Sequence, residues 1–128
     1  MQSIYPVLKY DDAQAAIDFL ERAFGFERLN VYAGDDGAVH HGEVRIGDDV
    51  LMLGSTGQGD PRFDQGAGKT SIYLVVDDPD GRYSRAKEAG ARIERELEDM
   101  DYGSREFTAR DPEGNLWSFG TYRPQVGA

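Results

Sequence analysis

Apolar and polar residues alternate along this chain with two different periods, and the periods change in the same order twice. Short runs alternate with period two, as in half-buried strands, and two longer runs have apolar residues three or four positions apart, as in helices. Each helical run follows an Asp-Asp pair and stops at a glycine. The pattern predicts strands at residues 4–10, 26–32, 39–46, 50–53, 70–76, 92–97, 105–110 and 116–122, and helices at 13–24 and 79–89.

The order strand, helix, strand, strand, strand therefore occurs twice. Ser3-Ile4-Tyr5 opens the first copy and Ser71-Ile72-Tyr73 the second, and the two aspartate pairs, at 11–12 and 77–78, are 66 positions apart. One helix can cover only one face of its sheet and leaves the other face open. We predict an α+β fold of two tandem βαβββ modules, about 3–55 and 70–123, in a single domain, 1–128. The modules pair, and their open faces form a cupped mixed sheet.

Residues 56–69 separate the two copies and have the composition of a loop. They are mostly Gly, Asp, Gln and Thr, and Phe63 is their only large apolar residue. The segment lacks the strand-to-helix context of a phosphate-binding loop. It is predicted to be a flexible linker or a lid.

Charge and composition exclude several classes of function. The formal net charge is −10, which disfavours nucleic acid and anionic membranes, because both require basic residues. The chain has no cysteine, which excludes disulfides, thiolate metal ligands and a cysteine nucleophile. No run approaches the roughly 20 apolar residues of a membrane span. We expect a soluble, cytoplasmic protein.

Three segments resemble the vicinal oxygen chelate superfamily, which includes glyoxalase I, bleomycin-resistance proteins, fosfomycin-resistance enzymes and extradiol dioxygenases. They are PVLKYDDAQAAIDFLERAFGFE (6–27), VVDDPDGRYSRAKEAGARI (75–93) and REFTARDPEGNLWSFGTY (105–122). The resemblance covers residues 4–122. It is specific for the fold and weak for the activity, because one scaffold supports many chemistries.

The resemblance implies where a metal would be bound. Members that use a metal place His, Glu or Gln at four strand positions, which correspond here to Tyr5, Met52, Ser71 and Ser118. The repeat supports this alignment, because each module-1 position is again 66 residues before its module-2 counterpart. Phenol, thioether and hydroxyl groups are poor ligands for divalent transition metals. The chain is therefore predicted to have no metal and no cofactor, like the bleomycin-resistance type, which sequesters its ligand.

Strand alternation then predicts which side chains face the open side of each sheet. Trp117 should pack under a helix and His40 should face away from the cup. Arg28, Asn30, Arg45, Thr108 and Arg110 should line the cup. The predicted ligand-binding residues are Tyr5, Tyr32, His41, Glu43, Met52, Ser71, Tyr73, Tyr102, Glu106, Ser118 and Tyr122.

Three functions remain open at this point. The first is metal-free sequestration of a small molecule, cationic or aromatic, by a homodimer, with antibiotic resistance as one role. The second is a metal-dependent glyoxalase-like lyase or dioxygenase that uses His41, Glu43 and Glu106. The third is a pocket for a neutral aromatic metabolite.

Overall fold

The computed structural model describes residues 2–127 and contains the two predicted modules. Module 1 consists of β1 (Val7–Tyr10), α1 (Ala13–Phe19), β2 (Glu27–Ala33), β3 (Val39–Ile46) and β4 (Asp49–Ser55). Module 2 consists of β5 (Ser71–Val75), α2 (Pro79–Glu88), β6 (Arg92–Asp99), β7 (Arg105–Arg110) and β8 (Leu116–Gly120). The α+β class and the tandem βαβββ order are thus confirmed. A short 3-10 helix, Pro61–Phe63, lies in the linker.

The two sheets have the same topology. Their strand orders are β1-β4-β3-β2 and β5-β8-β7-β6, with one parallel pair in each sheet, β1 with β4 and β5 with β8. Val7 lies opposite Met52, and Tyr73 lies opposite Ser118, so the modules are related by the predicted offset of 66. The two Ser-Ile-Tyr triplets are two residues out of step with this offset, and the first triplet precedes β1.

The aspartate pairs begin the helices, as their position predicts. The side chain of Asp12 accepts a hydrogen bond from the Ala15 amide at 3.1 Å, and that of Asp78 accepts one from the Gly81 amide at 3.0 Å. Both are N-caps, which satisfy amides that have no partner inside the helix. Helix α1 continues as a π-helical turn, Leu20–Phe24, and ends at Gly25 in the left-handed conformation. No helix within residues 2–127 is long and apolar enough to cross a membrane.

The modules pack through their helix-covered sides. Phe24, at the end of the π-helical turn, lies 5.5 Å from the ring of Trp117 and 5.0 Å from that of Phe119, both on β8. Trp117 is fully buried, as predicted. Arg85 of α2 donates to the backbone carbonyls of Glu21 and Arg22, which binds α2 to the end of the first helical segment. One hydrophobic core therefore lies between the two sheets.

Within one chain, the open faces of the sheets do not close on each other. Tyr32 on the first sheet is 60% exposed and Tyr73 on the second is 39% exposed. The alternation of apolar residues predicts which face of each sheet is buried. It does not predict how the two sheets pack against each other. Aromatic packing between Phe24 and β8 decides this, and it turns both open faces to solvent.

Candidate functional site

The open face of the first sheet, called face A here, carries a small polar cluster. It consists of Asn30, Tyr32, His41, Glu43 and Met52. His41 Nε2 lies 2.8 Å from Glu43 Oε2, and Asn30 Nδ2 donates to Glu43 Oε1 at 2.9 Å. The rings of Tyr32 and His41 are stacked with their centroids 6.3 Å apart. Met52 lies directly opposite Glu43 on the neighbouring strand. Face A therefore brings together four of the predicted ligand-binding residues.

Glu43 is held in its charged form by its neighbours. The hydrogen bond with His41, and next the one from Asn30, lowers the pKa of Glu43 below its ordinary value. Because the carboxylate accepts at both oxygens, it also fixes the side chains on either side of it. Face A thus presents an oriented imidazole and an aromatic ring to solvent.

The open face of the second sheet, called face B here, carries a tyrosine cluster around one carboxylate. It consists of Tyr73, Tyr102, Glu106, Ser118 and Tyr122. Tyr102 donates to Glu106 Oε2 at 2.8 Å, and the Tyr73 hydroxyl donates to the Tyr122 carbonyl at 2.7 Å. The rings of Tyr102 and Tyr122 meet edge to face at 6.0 Å. Ser118 lies opposite Tyr73. Five predicted site residues therefore share one surface.

Glu106 is the buried member of face B. It is only 4% exposed, whereas Tyr102 and Tyr122 are 54% and 49% exposed. Its hydrogen bond raises the pKa of the Tyr102 phenol, while partial burial is the main cause of the raised pKa of Tyr73. Both phenols therefore remain hydrogen-bond donors at neutral pH.

Gly120 makes room for this carboxylate. A Cβ built on Gly120 would lie 2.5 Å from Glu106 Cγ and 2.7 Å from the Tyr73 hydroxyl, closer than real Cβ contacts. The equivalent glycine of module 1, Gly54, would accept a Cβ, whose nearest neighbour would be 3.4 Å away. Alternation along β8 places Gly120 on the same face as Ser118, but it does not reveal that the missing side chain shapes the site.

Two predicted site residues stand apart from these clusters. Tyr5 precedes β1 and donates to the carbonyl of Gln2 at 3.2 Å. Ser71 begins β5 opposite Leu116 and is exposed. The prediction for Arg28 is wrong, because its guanidinium bonds to Asp18 and Glu21 of the first helical segment, on the covered side. A register shift between Arg28 and Val31 breaks the alternation that the prediction assumed.

Arg95 is a neighbour of the site that sequence reasoning missed. Its Nη1 lies 3.9 Å from Glu106 Oε1 and its Nε lies 3.9 Å from Glu98 Oε1. Strand β6 has register shifts on both sides of Arg95, so period two alone does not predict the face of this residue. Arg110, predicted to line the cup, lies on the same face as Thr108 at one end of β7, where it bonds to Glu94 and to the Gly114 carbonyl.

The donor set at the four resemblance-derived positions does not fit a metal. Tyr5, Met52, Ser71 and Ser118 offer no imidazole or carboxylate, and the Ser118 hydroxyl is hydrogen-bonded to Thr108 at 2.7 Å. His41 and Glu43 are adjacent, but Glu106 lies on the other sheet. Within residues 2–127, three or more His, Asp or Glu side chains do not gather as a metal would require.

Comparison with known proteins identifies the family. A family model described as the Glyoxalase/Bleomycin resistance protein/Dioxygenase superfamily matches residues 5–119. The chain belongs to this superfamily. Uncharacterised proteins of Mycobacterium bovis and Mycobacterium tuberculosis strain H37Rv are each 35% identical over 124 residues. These matches cover 92% of this chain, and 82% and 73% of those proteins respectively.

Solved structures of the superfamily share the fold. TioX from Micromonospora sp. ML1 superposes with a TM-score of 0.81 at 31% identity, covering 94% of this chain and all of that one. A lactoylglutathione lyase from Agrobacterium tumefaciens superposes with a TM-score of 0.72 at 22% identity, covering 94% and 93% of the two chains. The second likeness concerns the fold alone. Membership of the superfamily therefore leaves the choice between lyase and binding protein to the residues of the site.

Proposed function

We propose that this protein binds a small organic molecule on faces A and B and releases it chemically unchanged, without a resident metal ion. The observation that carries the proposal is the chemistry of the two faces. Aromatic rings lie next to oriented hydrogen-bonding groups on both: Tyr32 stacks on His41, and Tyr102 bonds to Glu106. Such surfaces bind flat ligands through the rings and orient them through the polar groups.

The donor set supports binding over metal-dependent chemistry. Superfamily members that use a metal, as lyases and dioxygenases do, resemble one another in placing His, Glu or Gln at the four strand positions. Tyr5, Met52, Ser71 and Ser118 replace those ligands here. Antibiotic resistance by sequestration is one role that fits such a protein.

A second copy of the chain would complete the site. A flat sheet face cannot enclose a ligand, whereas small-molecule pockets bury roughly 70–90% of the surface of a drug-sized ligand. Strands β1 and β5 are end strands of their sheets, so each has an edge to offer to another chain. A homodimer in which face A of one chain lies opposite face B of the other would contain two equivalent cavities.

A binding screen with matched aromatic variants tests the proposal. Thermal-shift and calorimetric titrations with a panel of flat aromatic compounds should identify ligands that raise the melting temperature of the protein. Tyr32→Ala should weaken their binding about tenfold, since a stacking aromatic contributes about 1 kcal/mol or more. Phe63→Ala removes an aromatic ring that is 72% exposed in the linker, and it should have no effect. Equal losses in both variants would contradict the proposed site.

Metal content and product analysis separate binding from catalysis. The purified protein should contain far less than one divalent transition-metal ion per chain, and bound ligands should be recovered chemically unchanged. A tightly held ion at about one per chain would overturn the proposal. Sedimentation measurements should show a dimer. A monomer that binds the ligand with the same affinity would contradict the cavity shared between two chains.

A further inference from the structure

The carboxylate of Glu106 is unusual because it is buried and yet accepts few hydrogen bonds. A carboxylate shielded from water normally needs several hydrogen bonds. Glu106 is 4% exposed, yet within residues 2–127 its one hydrogen bond comes from the Tyr102 hydroxyl, on Oε2. Asp111, another buried carboxylate, accepts from three side chains and two amides. The sheet therefore positions Glu106 but leaves part of the hydrogen-bonding capacity of its carboxylate unused.

The other oxygen of Glu106 is available to a ligand. Oε1 has no hydrogen-bond donor within residues 2–127, and no side-chain oxygen that is closed to solvent in this part of the chain lacks a partner. Oε1 is therefore reached from outside. Its nearest cation, Arg95 Nη1, lies 3.9 Å away, which is beyond hydrogen-bond distance, and the Arg95 side chain is 48% exposed.

The hydroxyl group that donates to Glu106 comes from a turn residue, not from a strand. Tyr102 belongs to the turn between β6 and β7, where the Gly103 amide bonds to the Met100 carbonyl. Its ring is more than half exposed and rests against Tyr122. A cationic N–H group adds the attraction of opposite charges to its hydrogen bond with a carboxylate, whereas a neutral phenol supplies the hydrogen bond without that attraction.

We propose that Glu106 anchors a cationic nitrogen group of the ligand, which takes over the hydrogen bond that Tyr102 donates in this structure. Tyr73, Tyr102 and Tyr122 would then form the aromatic walls around the cation, an arrangement that favours amidinium, guanidinium and protonated amine groups. Gly120 is required because only a residue without a side chain leaves space for Glu106 beside Tyr73. The inference rests on the proposed function and specifies the class of ligand.

Two probes of nearly equal shape test the anchor: benzamidinium, which is cationic, and benzamide, which is neutral. Binding is measured by NMR titration of backbone amides in the full-length protein. Benzamidinium should bind at least about tenfold more tightly than benzamide, with the largest shifts at residues 102–106 and 118–122. Glu106→Gln should reduce benzamidinium to the affinity of benzamide and leave benzamide unchanged. Tyr102→Phe should tighten benzamidinium binding, because no hydroxyl then competes for the carboxylate.

A matched control separates local contact from overall charge. Glu98 lies opposite Glu106 in the β6–β7 pairing, and its side chain is 56% exposed. Glu98→Gln removes the same charge nearby and should leave the preference for benzamidinium intact. Equal affinity of both probes for face B would overturn the cation anchor and leave the proposed function standing. A preference that survives Glu106→Gln would overturn it as well, and so would failure of both probes to bind face B.

Discussion

The hydroxyl of Tyr10 in the first module donates a 2.6 Å hydrogen bond to Oδ2 of Asp111 in the second. The same oxygen accepts from Asn115 Nδ2 at 2.9 Å and from Trp117 Nε1 at 3.0 Å. Two residues further on, the Glu113 carboxylate accepts from the backbone amides of residues 11 and 12. The Asp-Pro-Glu-Gly-Asn turn, residues 111–115 within the third of the segments that carry the family resemblance, thus joins the two modules.

Removal of this joint should destabilise the whole protein. Tyr10→Phe deletes one buried hydrogen bond and should lower the free energy of unfolding by about 1–2 kcal/mol. Asp111→Ala leaves several buried donors without a partner and should cost about 3 kcal/mol or more. Urea denaturation measures both losses. Asp101→Asn, at an exposed aspartate of the β6–β7 turn, is the control and should change little. If Asp111→Ala lost no more stability than Asp101→Asn, the turn would not stabilise the contact between the modules.

High pH should weaken the fold through Tyr10. Burial, followed by the charge of Asp111, raises the pKa of the Tyr10 phenol above its ordinary value of 10.0. The unfolded chain therefore releases this proton at a lower pH than the folded chain does. The stability contributed by neutral Tyr10 is present below about pH 10 and is lost as pH rises above that value. Denaturation curves between pH 9 and 11 should show a steeper loss in the unmodified protein than in Tyr10→Phe, and parallel losses would contradict this account.

The two equivalent glycines should respond differently to the same change. Gly120→Ala places a methyl group against Glu106 and Tyr73, so it should destabilise the protein by about 1–3 kcal/mol and weaken ligand binding to face B. Gly54→Ala has room for the methyl group and should change stability by less than about 1 kcal/mol in either direction. Melting temperatures and the probe titrations compare the two. Similar behaviour of the two variants would mean that the space at Gly120 is not what positions Glu106.

The sequence predicted the helices and strands, and it predicted the buried face of each sheet wherever the strands are regular. The offset of 66 aligned Val7 with Tyr73, and alternation along β8 placed Trp117 in the core. It failed at Arg28 because the register shift in β2 interrupts the alternation, and it missed Arg95 for the same reason in β6. It could not predict that the covered faces meet, because this depends on how Phe24 packs against β8. The asymmetry between Gly54 and Gly120 likewise depends on side chains from neighbouring strands.

The His41–Glu43 pair gives face A a response to acid. Because hydrogen bonds from His41 and then Asn30 lower the pKa of Glu43, its carboxyl group should titrate below its ordinary value of 4.5. The stabilisation from the pair is present above the unfolded pKa and is lost as pH falls through the lower folded pKa. NMR titration of the Glu43 side-chain carbon measures the shift directly. His41→Ala should return the pKa towards 4.5, whereas His40→Ala, at the exposed neighbouring histidine, should leave it unchanged. Equal titration of Glu43 in both variants would show that the 2.8 Å contact with His41 does not persist in solution.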